Sequence, residues 1–273
     1  MESSDKDNSK VQDQCLLTTG FGIPKHGLCE ASTKKGVAIN GGHSYHCGDE
    51  DALTNIHWWY DWHESPWQHS TKHCSSSVKS GYVPMVWAWR HNIDEPVHLQ
   101  HNTHYVLGFN EPNFRQQANM SPQDAARHWK SLESIAHGRK LVSPAVAPGG
   151  YLDPVVWLEQ FFAACHGCQV DYIATHAYWC NADITMNFLK KLWDRFHKQI
   201  WLTEFACPQK NSVNDQLNYM KAILPRLESA SYVYRYSWFV SRTHGDGWVF
   251  PAASLLDESG PHLSTLGHYY NNF

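Results

Sequence analysis

The sequence has no long hydrophobic run. Nowhere do its 273 residues approach 18 consecutive apolar positions, so no segment is read as a membrane span. Excess positive charge is also missing: Lys and Arg number 22 against 26 Asp and Glu, a formal charge of -4. The basic residues form no long cluster, which leaves no electrostatic basis for a nucleic acid or an anionic membrane as partner. There is no internal repeat, low-complexity tract or composition break that marks a linker. Residues 35–273 therefore read as one domain preceded by an N-terminal extension over residues 1–34. The start, MESSDKDNSK, is polar and carries no signal-peptide core. Among metal motifs, Cys165-His-Gly-Cys168 has CxxC spacing, but no second CxxC or HxxxH follows at zinc-finger distance. No metal is expected.

What the chain does have is aromatics and histidine: 13 Trp, 13 Tyr, 11 Phe and 19 His. Eight cysteines, at 15, 29, 47, 74, 165, 168, 180 and 207, are an even set that suits a secreted protein with up to four disulfides. A secreted, extracellular location is the expectation.

Eight short apolar runs alternate with helical patterns: 36–40, 56–62, 82–87, 105–110, 140–145, 171–176, 199–204 and 232–238. Their hydrophobicity is continuous rather than alternating, as in parallel strands buried on both faces. The clearest helix starts at Ser121-Pro122, an N-cap serine with proline at the first helical position, and stops near His137-Gly138. Others are expected at 154–165, 185–197, 214–227 and 264–272, with Trp129, Trp157 and Trp193 packing toward the core. Eight βα units at this length predict an α/β fold, a single (β/α)8 TIM barrel, with an open doubly wound sheet as the alternative.

A barrel brings functional residues to the C-terminal ends of its strands. Those ends carry Tyr60, Asp61 and Trp62 on run two, Trp87, Trp89 and Arg90 on run three, and Asn110-Glu111 on run four. Run six ends in His176 and Tyr178, run seven in Glu204 and run eight in Trp238. Glu111 and Glu204 would then face each other across a mouth lined with indoles. Two carboxyls about 5 to 5.5 Å apart can cleave a glycosidic bond with retention, and indole faces stack on sugar rings. His176 is read either as a hydrogen-bonded rim histidine or as a sugar ligand, and its neighbour Tyr178 favours the ligand. Cys180 and Cys207 lie just beyond His176 and Glu204, on the rims of runs six and seven, and are placed to bridge. Cys165 and Cys168 bond each other or take other partners.

The ordered series VPMVW, VLGFNEPN, LVSPAVA, VDYIATHAYWC, WLTEFAC and VYRYSWF resembles glycoside hydrolase family 128, the compact clan A β-1,3-glucanases. The likeness runs from about Lys35 to Tyr270. It implies that Glu111 is the general acid/base, Glu204 the nucleophile, and Asn110 the residue that hydrogen-bonds the sugar 2-hydroxyl. It also places Trp238 under the sugar at the cleavage point, while Tyr60, Trp62, Trp87, His176 and Tyr178 are expected to bind substrate from their places at the strand ends. The implied partner is a β-1,3-glucan polysaccharide or oligosaccharide, acted on by a monomer with no cofactor. The acid is expected to be kept protonated by surrounding aromatics and the Glu204 charge. A β-1,3-gluco-oligosaccharide-binding protein on the same barrel is the alternative. Strand two departs from the family's usual Tyr-Asn-Trp, reading Tyr60-Asp61-Trp62, and segments 41–51 and 63–80 match no family motif.

Overall fold

In the computed structural model, residues 32–89, 98–245 and 247–273 are described. Arg90, Cys15, Cys29 and nearly all of the expected N-terminal extension lie outside them. The elements run in order as β1 (Lys35–Ala38), α1 (Asp49–Ala52), β2 (Trp58–Tyr60), α2 (Trp67–Thr71), β3 (Tyr105–Leu107), α3 (Pro122–Ala136) and β4 (Lys140–Val142). They continue with α4 (Pro154–Ala164), β5 (Ile173–Ala177), α5 (Ala182–Phe196), β6 (Ile200–Phe205), α6 (Val213–Ser229), β7 (Val233–Trp238) and α7 (Thr265–Asn272). Five strands form one parallel sheet in the order β2-β1-β7-β6-β5, and β3 and β4 form a second parallel pair.

The third expected strand is not a strand. Residues 82–87 make isolated parallel bridges, Tyr82 to Trp59 of β2 and Met85 to Leu107 of β3. Pro84 sits in the middle of the run and has no N–H to give to a ladder, although its carbonyl accepts from Leu107 N at 2.9 Å. Further parallel bridges join Val142 to Tyr172 and Val146 to Thr175, between the β4 and β5 segments.

The helices begin where their caps dictate. The Ser121 hydroxyl accepts from Asp124 N at 3.1 Å with Pro122 behind it, and His137 closes α3 in the left-handed conformation at φ 50°. Asp153, Asn181, Ser212 and Ser264 cap α4, α5, α6 and α7 in the same way. Trp129 and Trp157 are fully buried as expected, whereas Trp193 is only half-buried.

Both faces of the strands are apolar. One buried cluster, with Trp58, Tyr60, Met85, Leu107, Ala174 and Trp201, lies on the side away from the helices. A larger one holds the other strand face against them, including Trp59, Leu141, Leu202, Tyr236 and Trp238 with Trp129, Leu189 and Leu224. Gly108 marks the closest approach: a Cβ there would lie 2.8 Å from Trp129 Cζ3 and 2.9 Å from the Val142 carbonyl.

Candidate active site

Glu111 follows the β3 segment and takes φ 40°, a left-handed conformation that L side chains rarely adopt. Its surroundings hold it there. Glu111 N donates to the Ala145 carbonyl at 3.0 Å and Phe114 N to the Glu111 carbonyl at 2.9 Å. The second amide of the Asn-Glu-Pro-Asn sequence, Asn113, is fully buried, and its Nδ2 donates to the carbonyls of Ala147 at 2.7 Å and Leu152 at 3.0 Å. Asn113 therefore fixes the loop, while Asn110 and Glu111 line a cleft of about 660 Å³. Strain of this kind persists only where neighbours over-determine it, and it concentrates at functional sites.

Glu204 reaches the cleft through an irregularity. Strand β5 pairs Thr175 with Leu202 but His176 with Glu204, so Thr203 is an extra residue in β6. Leu202 and Phe205 both pack in the helix-facing cluster. Strict alternation from Leu202 would have turned Glu204 the same way; the extra residue resets the parity and aims it into the cleft. Its Oε1 accepts from Trp62 Nε1 at 2.8 Å, and its Oε2 accepts from the Tyr178 hydroxyl. Trp62 is itself held at φ 62°.

His176 joins the two carboxylates. Its Nδ1 lies 2.7 Å from Glu111 Oε1 and 3.3 Å from Glu204 Oε2, and its side chain is fully buried. One oxygen of each carboxylate and a histidine nitrogen lie within 4.8 Å of one another. That donor set could take a cation, and it equally fits a hydrogen bond between Nδ1 and either carboxylate. Burial opposes a charge on His176, yet the Glu204 charge, the Glu111 hydrogen bond and the Glu111 charge outweigh it, and the imidazole is raised above its ordinary value. Burial likewise pushes Glu204 up, with the Glu111 charge adding to it, while His176, Tyr178 and Trp62 pull it back. Glu204 is the more buried of the two carboxylates, with its side chain 7 % exposed against 14 % for Glu111.

The other expected residues divide. Trp62, Trp87, Asn110 and Tyr178 line the cleft with the two glutamates. Tyr60 does not: it is buried beneath Glu204, donates to the Thr203 carbonyl at 2.9 Å and only grazes Glu204 Oε1 at 3.5 Å. His176 touches the carboxylates from below rather than lining the space for a sugar. Trp238 is a correction. Its indole is fully buried among Phe205, Tyr219 and Tyr270, with Nε1 donating to the Ala253 carbonyl at 2.8 Å. Tyr236 and Trp238, two apart, share the helix-facing side, so it is the next residue, Phe239, that enters the cleft. Phe114, Gln117, Trp179 and Trp248 also line it and were not singled out from sequence.

Asp61, the departure on strand two, turns away from the cleft. It is 2 % exposed and accepts from the Tyr82 hydroxyl at 2.6 Å and from Trp67 N at 3.0 Å, so its charge organises the following loop. Three disulfides are present among the described residues: Cys47–Cys74, Cys165–Cys168 and Cys180–Cys207. The last ties the segment after Tyr178 to the segment after Glu204, as expected.

A family model described as "Glycosyl hydrolase catalytic core" matches residues 36–270, which makes the chain a glycosyl hydrolase catalytic core. Among solved structures it is similar to a subgroup II GH128 endo-β-1,3-glucanase from Sorangium cellulosum, at 34 % identity and TM-score 0.74, covering 87 % of this chain and 97 % of that one. It is also similar to a subgroup II GH128 endo-β-1,3-glucanase from Pseudomonas viridiflava, at 35 % identity and TM-score 0.73, covering 89 % and 98 %. A subgroup I enzyme from Amycolatopsis mediterranei, a mutant solved with laminarihexaose, matches at 27 % identity and TM-score 0.70, covering 88 % and 99 %. The chain belongs to glycoside hydrolase family 128. It is also 28 % identical over 252 residues to Alkali-sensitive linkage protein 1 of Schizosaccharomyces pombe, covering 88 % of this chain and 44 % of that longer protein.

Proposed function

We propose that this protein hydrolyses β-1,3-glucans with retention of anomeric configuration, on a closed (β/α)8 barrel. One observation carries the reading: an oxygen of Glu111 and an oxygen of Glu204 approach within 4.8 Å in an aromatic cleft. That is the short spacing of a double displacement, not the 6.5 to 9.5 Å that leaves room for an inverting water. The indole-lined cleft, with no Lys or Arg among the described residues of its lining, suits an uncharged polysaccharide. The parallel bridges through Tyr82, Met85, Tyr172 and Thr175 support closure of the sheet. The laminari-oligosaccharide complexes of the Amycolatopsis relatives support the substrate class.

In the first step a carboxylate oxygen of Glu204 attacks the anomeric carbon. The bond to the leaving O3 breaks, and Glu111 gives that oxygen its proton. In the second step Glu111 takes a proton from water, the water oxygen displaces Glu204, and both carboxyls return to their starting states. His176 is a positioning residue: its Nδ1 lies between the two groups, where an N–H would donate to whichever carries the charge. Tyr178 and Trp62 hold Glu204 by hydrogen bonds to its two oxygens. Asn110 is assigned to the sugar 2-hydroxyl, and its Oδ1 is buried without a partner. The enzyme is read as monomeric and secreted, with residues 1–34 an extension preceding the barrel; three disulfides are compatible with an oxidising compartment. Incubation with laminarin, with product length and anomeric form followed by NMR, tests the reading. β-Anomer appearing first is expected. Binding without turnover would make the protein a glucan-binding relative, and α-anomer first would overturn the mechanism.

A further inference from the structure

Outside the cleft, the first residue of α2 presents an indole to solvent under unusual restraint. Trp67 is 47 % exposed, yet everything behind it is fixed. Trp67 N donates to Asp61 Oδ2 at 3.0 Å, and Asp61 is anchored by the Tyr82 hydroxyl. The next residue, Gln68, accepts from Gly42 N at 2.8 Å, and it packs so tightly that a Cβ on Gly41 would lie 2.0 Å from its Nε2. Further along, Cys74 closes the loop through its disulfide to Cys47. One face of the indole is stacked on the His63 imidazole, with centroids 4.9 Å apart and planes 13° apart. An exposed aromatic held in one orientation loses little entropy on binding, which is the property of a stacking platform.

Its position says what would stack there. Trp62 lines the cleft and hydrogen-bonds Glu204; His63 is its chain neighbour, and Trp67 lies on His63. The stacked His63–Trp67 pair therefore follows directly on a cleft-lining residue at the C-terminal end of β2, in a segment that no family motif covers. We propose that Trp67 is an outlying subsite for the same uncharged β-1,3-glucan, engaging sugars that extend past Trp62. This rests on the glucan reading above and adds to it a chain-length preference set by this loop.

The test is calorimetry in a Glu204→Gln background, comparing laminaritriose with laminarihexaose, with and without Trp67→Ala. Loss of the platform should weaken hexaose binding roughly five- to tenfold while triose binding stays within about twofold. Trp67→Phe, which keeps a ring, should restore most of the hexaose affinity. Equal weakening of both ligands, or no weakening of either, would overturn the subsite while leaving the glucan cleft intact. If neither ligand binds before Trp67 is changed, the glucan reading itself falls and the subsite with it.

Discussion

Both ends of the parallel sheet bury charge among aromatic rings, and they do so to opposite purpose. At the N-terminal end, Arg235 is 8 % exposed, and its guanidinium lies 4.6 Å from the Tyr105 ring centroid, 4.8 Å from Trp201 and under 6 Å from Trp58 and Tyr234. Among the described residues it forms no ion pair. At the C-terminal end, Glu111, His176 and Glu204 crowd three titratable groups into one contact. A guanidinium cannot exchange its proton near neutrality, so the rings around it act as packing and cation–π support. The rim trio consists of groups that can exchange protons: burial pushes Glu204 up, the carboxylates raise His176 against its burial, and aromatic rings line the cleft beside them. Aromatic burial alone therefore does not mark a site; what matters is whether the enclosed charge can move.

The largest effect that would break this contrast lies at the rim. Glu204→Gln should lower turnover on laminarin on the order of 10⁴-fold or more, with folding intact. Glu111→Ala should cost roughly 10²- to 10⁴-fold on the same substrate, and far less on an aryl glycoside whose leaving group needs little protonation. Added azide should rescue Glu111→Ala and not Glu204→Gln. Equal, unrescued losses on both substrates would mean that the carboxylates have no distinct roles.

The second test concerns the wall between the two ends, where two adjacent aromatics face opposite ways. Trp238→Ala should destabilise by about 3 to 5 kcal/mol, as expected for a buried large-to-small change. Phe239→Ala should cost much less stability and weaken laminarihexaose binding. Denaturant unfolding and calorimetry on the pair decide it. A Trp238 variant that folds normally but binds poorly would return that indole to the cleft.

That pair also shows how far the sequence could be read. The alternation of apolar runs and capped helices was legible, because caps such as Ser121-Pro122 and continuous runs such as 105–110 are local signals. The two glutamates were legible because each closes a run. Which way a strand residue faces was not: with both faces of β7 apolar, no polar alternation distinguishes Trp238 from Phe239. Nor does composition reveal the extra residue at Thr203 that turns Glu204 inward. The third run failed as a strand through Pro84, a signal that was present in VPMVW. Cleft residues such as Trp248 and Phe114 come from irregular segments, whose placement depends on tertiary contacts.

At the N-terminal end the expectation is loss of stability without loss of chemistry. Arg235→Ala removes the cation–π contacts and leaves a gap, which should cost about 2 to 3 kcal/mol. kcat/KM on laminarin and its pH profile should match the unaltered enzyme at a temperature where both are folded. A shifted pH profile would show that the two ends are electrostatically linked through the strands.

The smallest effect is the most discriminating, because the two ends should pull two histidines in opposite directions. His176 is raised above the ordinary 6.5, since its carboxylate partners outweigh burial. His57, toward the other end, is lowered from 6.5 by burial and then by the Arg235 charge. The stability that His176 contributes is fully present below 6.5 and is lost as pH rises through its folded value. His57 has the reverse sign: it penalises folding at low pH, and the penalty disappears as pH climbs to 6.5. Each full unit of displacement is worth about 1.4 kcal/mol, less for the exposed His57 because solvent screens it. Imidazole NMR titration, with resonances assigned through His57→Gln and His176→Gln, should find one histidine on each side of 6.5. Arg235→Met should then move His57 back toward 6.5 and leave His176 where it was. If both histidines titrate together, or if the Arg235 change shifts His176, the separation between an inert end and a proton-exchanging end does not hold.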